Sequence, residues 1–172
     1  MGTPRLVELT DDHVPALLQT MRDPETLRFT RTSDPVTDAW LEQWRARFDG
    51  RHRLLWAVVD GPEDDPEFVG YAVTGPVDRE ELEVELGYAV APWARGRGVA
   101  TAVLQQMARW AFDEGMQRVT ALISVQNPAS QQVARRAGFT FEGVLRSRHH
   151  VDGRRVDLQS WSILPGELKD RA

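Results

Sequence analysis

The chain contains no cysteine. Disulfides, thiolate metal sites and cysteine nucleophiles are all excluded by that one absence. A surplus of positive charge is also missing. The 21 Lys and Arg residues stand against 26 Asp and Glu, for a net charge of −5. A general basic footprint for nucleic acid is therefore not expected. The apolar runs are too short to span a membrane. The residues after Met1 carry no secretory pattern, and Leu6 stands where a myristoylation signal needs Ser or Thr. The expected location is the cytoplasm, with neither nucleic acid nor a membrane as partner. No P-loop, repeat, low-complexity tract or internal linker is visible. His149 and His150 are neighbours on a strand and must face opposite sides, while His13 and His52 are remote, so no metal site is expected.

What is present is a globular composition, 41% hydrophobic and 27% charged over 172 residues. It predicts one domain over residues 1–172, with a loose tail at 165–172. Residues 5–9 read as a strand. Thr10 suits an N-cap, followed by Val14, Leu17, Leu18 and Met21 at helical spacing, and Asp23-Pro24 ends that helix. A second helix is expected over 37–48, with Trp40, Trp44 and Phe48 on one aromatic face. The bend between the two helices, residues 26–35, is expected to wall a pocket. Strands follow at 53–59, 68–74 and 82–90. In the last of these, Leu82, Val84, Leu86, Tyr88 and Val90 share one face and Glu83, Glu85, Gly87 and Ala89 the other. A helix at 99–114, a strand at 119–125 and a helix at 128–136 come next. Two strands, 139–151 and 154–164, are joined at Asp152-Gly153. The order is α/β (α+β), with about seven strands in a mixed sheet and about four helices. The strand–helix–strand unit predicts a parallel pairing of the fourth and fifth strands.

Arg95-Gly96-Arg97-Gly98-Val99-Ala100-Thr101 lies between the fourth strand and the long helix. A helix N-terminus offers unpaired N–H groups and the positive end of the dipole, and glycines let an anion come close. A phosphate-bearing ligand held mainly by main chain suits this junction; a plain tight turn is the alternative. Gly96-x-Gly98-x-x-Thr101 lacks the third glycine of a dinucleotide fingerprint.

Arg95 to Ala100 matches Gln/Arg-x-x-Gly-x-Gly/Ala at every specified position. Glu85-Leu86-Gly87-Tyr88-Ala89-Val90-Ala91-Pro92 precedes it. Asn127-Pro128-Ala129-Ser130, Arg135-Arg136-Ala137-Gly138-Phe139 and Glu142-Gly143 follow. Together these segments resemble the GCN5-related N-acetyltransferase (GNAT) superfamily, and most closely its RimJ/RimL-like branch, which acetylates ribosomal-protein N-termini. The resemblance implies a sheet splayed between strands 4 and 5. It implies acetyl-CoA as co-substrate, no metal, and direct transfer to a primary amine of a small molecule or a protein N-terminus.

By the same resemblance, the backbone of Arg95, Gly96, Arg97, Gly98, Val99, Ala100 and Thr101 cradles the pyrophosphate. Tyr88 to Val90 line the pantetheine, with the Val90 N–H at the thioester carbonyl. Asn127, Ser130 and Arg135 complete the cofactor set. Glu85 is the candidate base and Ser130 the candidate partner of the leaving sulfur. The tyrosine that many family members carry seven residues after the asparagine is Ala134 here. Tyr88 sits on the apolar face and is not an obvious substitute. Phe29, Arg31, Glu85 and His149 are the expected acceptor-side residues, although the carboxylate which that branch carries near His149 is not kept.

Each side chain also has a plain structural reading. Glu85 can be a solvated strand carboxylate, Asn127 a turn cap, Ser130 a local helix residue, and Arg95, Arg97 and Arg135 surface charge. Arg146, Arg148, Arg154 and Arg155 read as alternating charge on an edge strand. A non-catalytic acyl-CoA-binding module and an acyltransferase using a longer acyl donor remain alternatives. The acceptor stays open, and the final hairpin leaves room for a homodimer.

Overall fold

The computed structural model describes residues 2–32, 34–151 and 153–168. Seven strands are formed: β1 (Arg5–Glu8), β2 (Leu55–Asp60), β3 (Glu67–Thr74), β4 (Glu83–Val90), β5 (Arg118–Ser124), β6 (Thr140–Val151) and β7 (Arg154–Ile163). They make one sheet in the order β1-β2-β3-β4-β5-β7-β6. β1 to β4 are antiparallel neighbours, β4 and β5 run parallel, and β7 is inserted antiparallel between β5 and β6. The expected parallel unit is therefore present.

Five α-helices cover the sheet: α1 (Val14–Met21), α2 (Pro24–Phe29), α3 (Asp38–Arg45), α4 (Val99–Asp113) and α5 (Pro128–Ala137). On α4, Val99, Val103, Leu104, Met107, Ala108 and Ala111 recur at helical spacing and are buried against Val84, Leu86, Val119 and Ala121 of the sheet. The other face of the sheet carries α1 and α3, where Leu17, Met21, Leu41 and Trp44 pack on Ala57, Tyr71 and Ala89. Trp44 meets Tyr71 and Phe48 edge-on at 5.6 and 4.9 Å. β4 thus turns one set of side chains to α4 and α5 and the other to α1–α3, as its alternation predicted.

Several expectations need correction. Residues 26–29 of the expected bend belong to the helix α2, which starts at Pro24. Asp23-Pro24 ends α1 but also starts α2, because the Asp23 carboxylate accepts the Thr26 N–H at 3.0 Å and Pro24 takes the first helical position, where no N–H is needed. Thr10 precedes a 3-10 turn, Asp11–His13, rather than α1 itself. Leu82 lies outside β4, with φ +53° and an exposed side chain. The helix of 37–48 stops at Arg45. The tail is a turn over 165–168, and Leu168 packs on the α4-side core. Residues 169–172 and Asp152 of the hairpin lie outside the described residues.

β4 and β5 pair at three positions, Glu83–Arg118, Val84–Val119 and Glu85–Thr120. Both strands then run on, to Val90 and Ser124, without pairing to each other. That is the expected splay, and it positions the site.

Candidate active site

The backbone of β4 past Glu85 can be read from its bonds to β3. The Gly75 N–H donates to the Glu85 carbonyl at 2.8 Å, and the Ala91 N–H donates to the Val69 carbonyl at 2.9 Å. The register between them is regular. Odd-numbered residues therefore face β3, and Leu86, Tyr88 and Val90 turn their N–H and C=O toward the gap beside β5. On the β5 side, the Gln131 amide donates to the carbonyls of Ser124 and Val125, both at 3.1 Å. A cavity of about 640 Å³ runs along the gap.

At one end of this cavity lies the N-terminus of α4. Gly98 is its N-cap, with φ +81° and no capping side chain. Gly96 has φ +78°. A Cβ on either glycine would meet no protein atom within 4 Å, so the protein leaves the space beside the loop empty. Gly96, Gly98, Val99, Ala100 and Thr101 all line the cavity. The arrangement suits an anion.

The two arginines of the stretch are engaged by protein. Arg95 lines the cavity, but its guanidinium is held by Asp23, by Glu25 at 2.9 Å and by the Thr26 hydroxyl at 3.2 Å. Burial alone would push the Asp23 carboxyl up. The Arg95 guanidinium and the bonds from Thr26 outweigh it and hold the carboxyl below the usual range. Arg95 therefore ties α2 to the glycine loop. Arg97 pairs with Glu67 at 2.9 Å and donates to the Trp93 carbonyl, outside the cavity lining. Arg135 also lies away from it, bonded to Gln132 and stacked 5.5 Å over the Trp161 ring, whereas Arg136 lines the cavity.

Beside the gap, Tyr88 Oη and Ser130 Oγ are hydrogen-bonded at 2.9 Å. Burial pushes the Tyr88 phenol up to about 12. Ser130 is fixed from below, because its N–H donates to Asn127 Oδ1 at 3.0 Å. Asn127 is thus the cap of α5 and a cavity-lining residue at once. Ala134 is fully buried in α5.

On the α1–α3 side, Arg31 reaches the Glu85 carboxylate at 3.4 Å. Phe29 and His149 line the same cavity. His149 is turned inward and half-buried, while His150 is exposed, as alternation required. Burial, then the charges of Arg31, His150 and Arg155, hold the His149 imidazole below its usual value. Tyr71 forms part of the wall, its phenol pushed up to about 12 by burial. Among the described residues no three His, Asp or Glu groups come together as a metal site, and no helix is long and apolar enough to cross a membrane.

Glu85, Tyr88, Val90, the glycine loop, Asn127, Ser130, Phe29, Arg31 and His149 thus share one cavity. The residues missed in the sequence are Asp23, Tyr71 and Gln131, and Tyr88 as a partner of Ser130; of the neighbouring Arg135 and Arg136, both near the phosphates by resemblance, it is Arg136 that lines the cavity. Tyr88 and Ser130 are 42 positions apart, and no local pattern signals such a contact.

Residues 5–140 match the model of the acetyltransferase (GNAT) domain. A putative ribosomal N-acetyltransferase of Bacillus subtilis, YdaF, is 28% identical over 137 residues, 79% of this chain and 73% of that protein. An L-methionine sulfoximine/L-methionine sulfone acetyltransferase of Pseudomonas paraeruginosa is 30% identical over 127 residues, 72% of each chain. The structure of spermidine N-acetyltransferase from Vibrio cholerae with CoA and spermine superposes with a TM-score of 0.84 over 96% of this chain and 97% of that one. At 16% identity, that likeness concerns the fold.

Proposed function

The chain belongs to the GNAT acetyltransferase family and is an N-acetyltransferase that draws its acetyl group from acetyl-CoA; on that premise we propose that the gap between β4 and β5 holds the thioester arm and that Glu85, Ser130 and Tyr88 serve a direct transfer to a primary amine. One observation carries this reading. Two parallel strands part after Glu85 and Thr120, and an uncapped helix N-terminus opens on the same cavity. The glycine loop fits a pyrophosphate because no protein atom occupies the space a Cβ would take. Acetyl-CoA supplies an activated acyl group and a thiolate leaving group.

The residues of the chain do the rest. Amides of 98–101 receive the phosphates, with Arg136 as a cavity-lining positive charge. The Val90 N–H donates to the thioester oxygen as negative charge builds there. Glu85 accepts a proton from the incoming amine, directly or through water. Tyr88 is a positioning residue. Its phenol stays protonated far above neutral pH and, 2.9 Å from Ser130 Oγ, is placed to donate to it in this scheme. That leaves the Ser130 O–H free to hydrogen-bond the departing sulfur, whose final proton comes from solvent. A phenol on β4 and a serine on α5 thereby stand in for the tyrosine that Ala134 replaces.

The names of the relatives span a ribosomal protein, an amino-acid analogue and, for the structural neighbour, a polyamine. The acceptor of this chain is therefore read from its own cavity. A homodimer along the free edge of β6 is supported by the exposed Phe141, Val144 and Leu145 there, and sedimentation tests it.

The test of function uses the missing thiols. With no cysteine in the chain, a thiol reagent reports CoA release without background. Acetyl-CoA is expected to raise Tm, and CoA to appear when an accepted amine is added. A rise in Tm without CoA release across amines and peptides would instead favour a binding module.

A further inference from the structure

The acceptor end of the cavity is basic. Arg28, Arg31, Arg47, Arg53 and Arg154 line it, together with Glu85. The other carboxylate in the lining, Glu25, is already paired with Arg95. Glu85 is shared with Arg31 at 3.4 Å. Among the described residues, Arg47, Arg53 and Arg154 have no carboxylate partner.

These arginines come from elements around Glu85 rather than from the glycine loop. Arg53 precedes Leu54, whose N–H donates to Thr74 Oγ1 at 2.9 Å; the next residue, Gly75, donates to the Glu85 carbonyl. Arg47 follows α3 and precedes Phe48, which packs on Trp44. Arg154 pairs with Val151 at the tip of β6 and β7, close to His149, and His149 is near enough to feel the charge of Arg31. Among the described residues, the lining thus sets one carboxylate not held by Arg95 against five arginines, beside an aromatic wall that includes Phe29 and Tyr71. A polycation would meet uncompensated like charge here.

We propose that the acceptor is a primary amine that carries an anionic group a few bonds away, an amino acid in its simplest form. This rests on the acetyl-transfer reading above and specifies its substrate. The anion docks on the guanidinium groups, which match a carboxylate fork to fork, and the amine is directed to Glu85. When the anion takes Arg31, Glu85 loses its ion-pair partner and is released to accept the proton. Arg31 is thereby a latch that opens for an anionic acceptor.

The experiment compares five amino acids (glutamate, leucine, methionine, phenylalanine and serine) with their carboxamides, and with spermidine, by CoA release from the intact chain. At least one amino acid is expected to exceed its carboxamide by about tenfold or more in kcat/KM, the worth of a charge-assisted contact. That ratio shrinks in about 0.5 M salt, as screening requires. The double variant Arg53→Gln, Arg154→Gln narrows the same ratio by raising KM for the amino acid, while the Tm rise with acetyl-CoA stays. Carboxamides or spermidine reacting as well as the amino acids would overturn the proposal, as would a ratio indifferent to both salt and the double variant. Acetyl-CoA raising Tm with no probe turned over counts against it too. If acetyl-CoA fails to raise Tm, the acetyl-transfer reading itself fails.

Discussion

At its start, the β4–β5 pair is laddered and cross-tied. Arg118 of β5 bonds Glu83 of β4 at 3.2 Å and Glu142 of β6 at 2.9 Å. Glu142 also accepts from the Ser162 and Ser160 hydroxyls of β7 at 2.8 and 3.2 Å. The Arg118 guanidinium, then the serines, outweigh burial and hold its carboxyl down at about 2. At the other end the same two strands have no ladder. There Gln131 satisfies the Ser124 and Val125 carbonyls at the end of β5, while the Leu86 C=O and the inward N–H and C=O groups of Tyr88 and Val90 meet no strand. One end joins four strands by charge and hydroxyl groups. The other leaves main-chain donors and acceptors facing a cavity. Backbone polarity that is not spent on the fold is what a ligand can use.

The sharpest way to break this contrast is at the glycine loop. Gly98→Val forces a β-branched residue to φ +81° and fills the space beside the loop. Turnover is expected to fall by about 100-fold or more, and the Tm rise with acetyl-CoA to vanish; retained binding would remove the backbone cradle. Next comes the serine pair. Ser130→Ala is expected to lower kcat about 10- to 100-fold with acetyl-CoA binding intact, and Tyr88→Phe about tenfold. A loss confined to KM would mean that the pair only shapes the cavity.

At the closed end, Glu142→Gln is expected to cost about 1 kcal/mol, roughly 3 °C in Tm, because the site is about a third exposed. It should leave acetyl-CoA affinity unchanged. The sign with pH follows from the lowered carboxyl. Its stabilisation is complete above 4.5 and is lost as pH falls toward about 2. Acid titration of Tm should therefore be shallower in the variant. Arg97→Gln breaks an exposed pair with Glu67, and should change stability by less than about 0.5 kcal/mol and leave turnover unaltered.

Much of this contrast was legible in the sequence. The alternation of residues 83–90 gives the two faces of β4, the stripe from Val99 to Ala111 gives α4, and the glycines with the flanking motifs give the splay and the donor. What stayed hidden depends on contacts between distant segments. Asp23-Pro24 is both a stop and a start, and only the cap geometry shows the second role. Arg95 reads as a phosphate ligand until Asp23, 72 positions away, is seen to hold it. Glu142 belongs to a recognisable segment yet works as a tie between strands, far from the reacting end. Tyr88 lies on the apolar face as expected, but its hydroxyl emerges at Ser130. Side-chain reach across the sheet is not encoded in periodicity.

The account stands or falls on which end of the strand pair responds to the donor. Hydrogen exchange of the backbone amides, measured with and without acetyl-CoA, reads both ends at once. The amides of Tyr88, Val90 and residues 98–101 are expected to slow markedly on binding, while those of 83–85 and 118–120, already laddered, stay as they were. Equal slowing at both ends, or none at Tyr88 and Val90 while acetyl-CoA is bound, would contradict it.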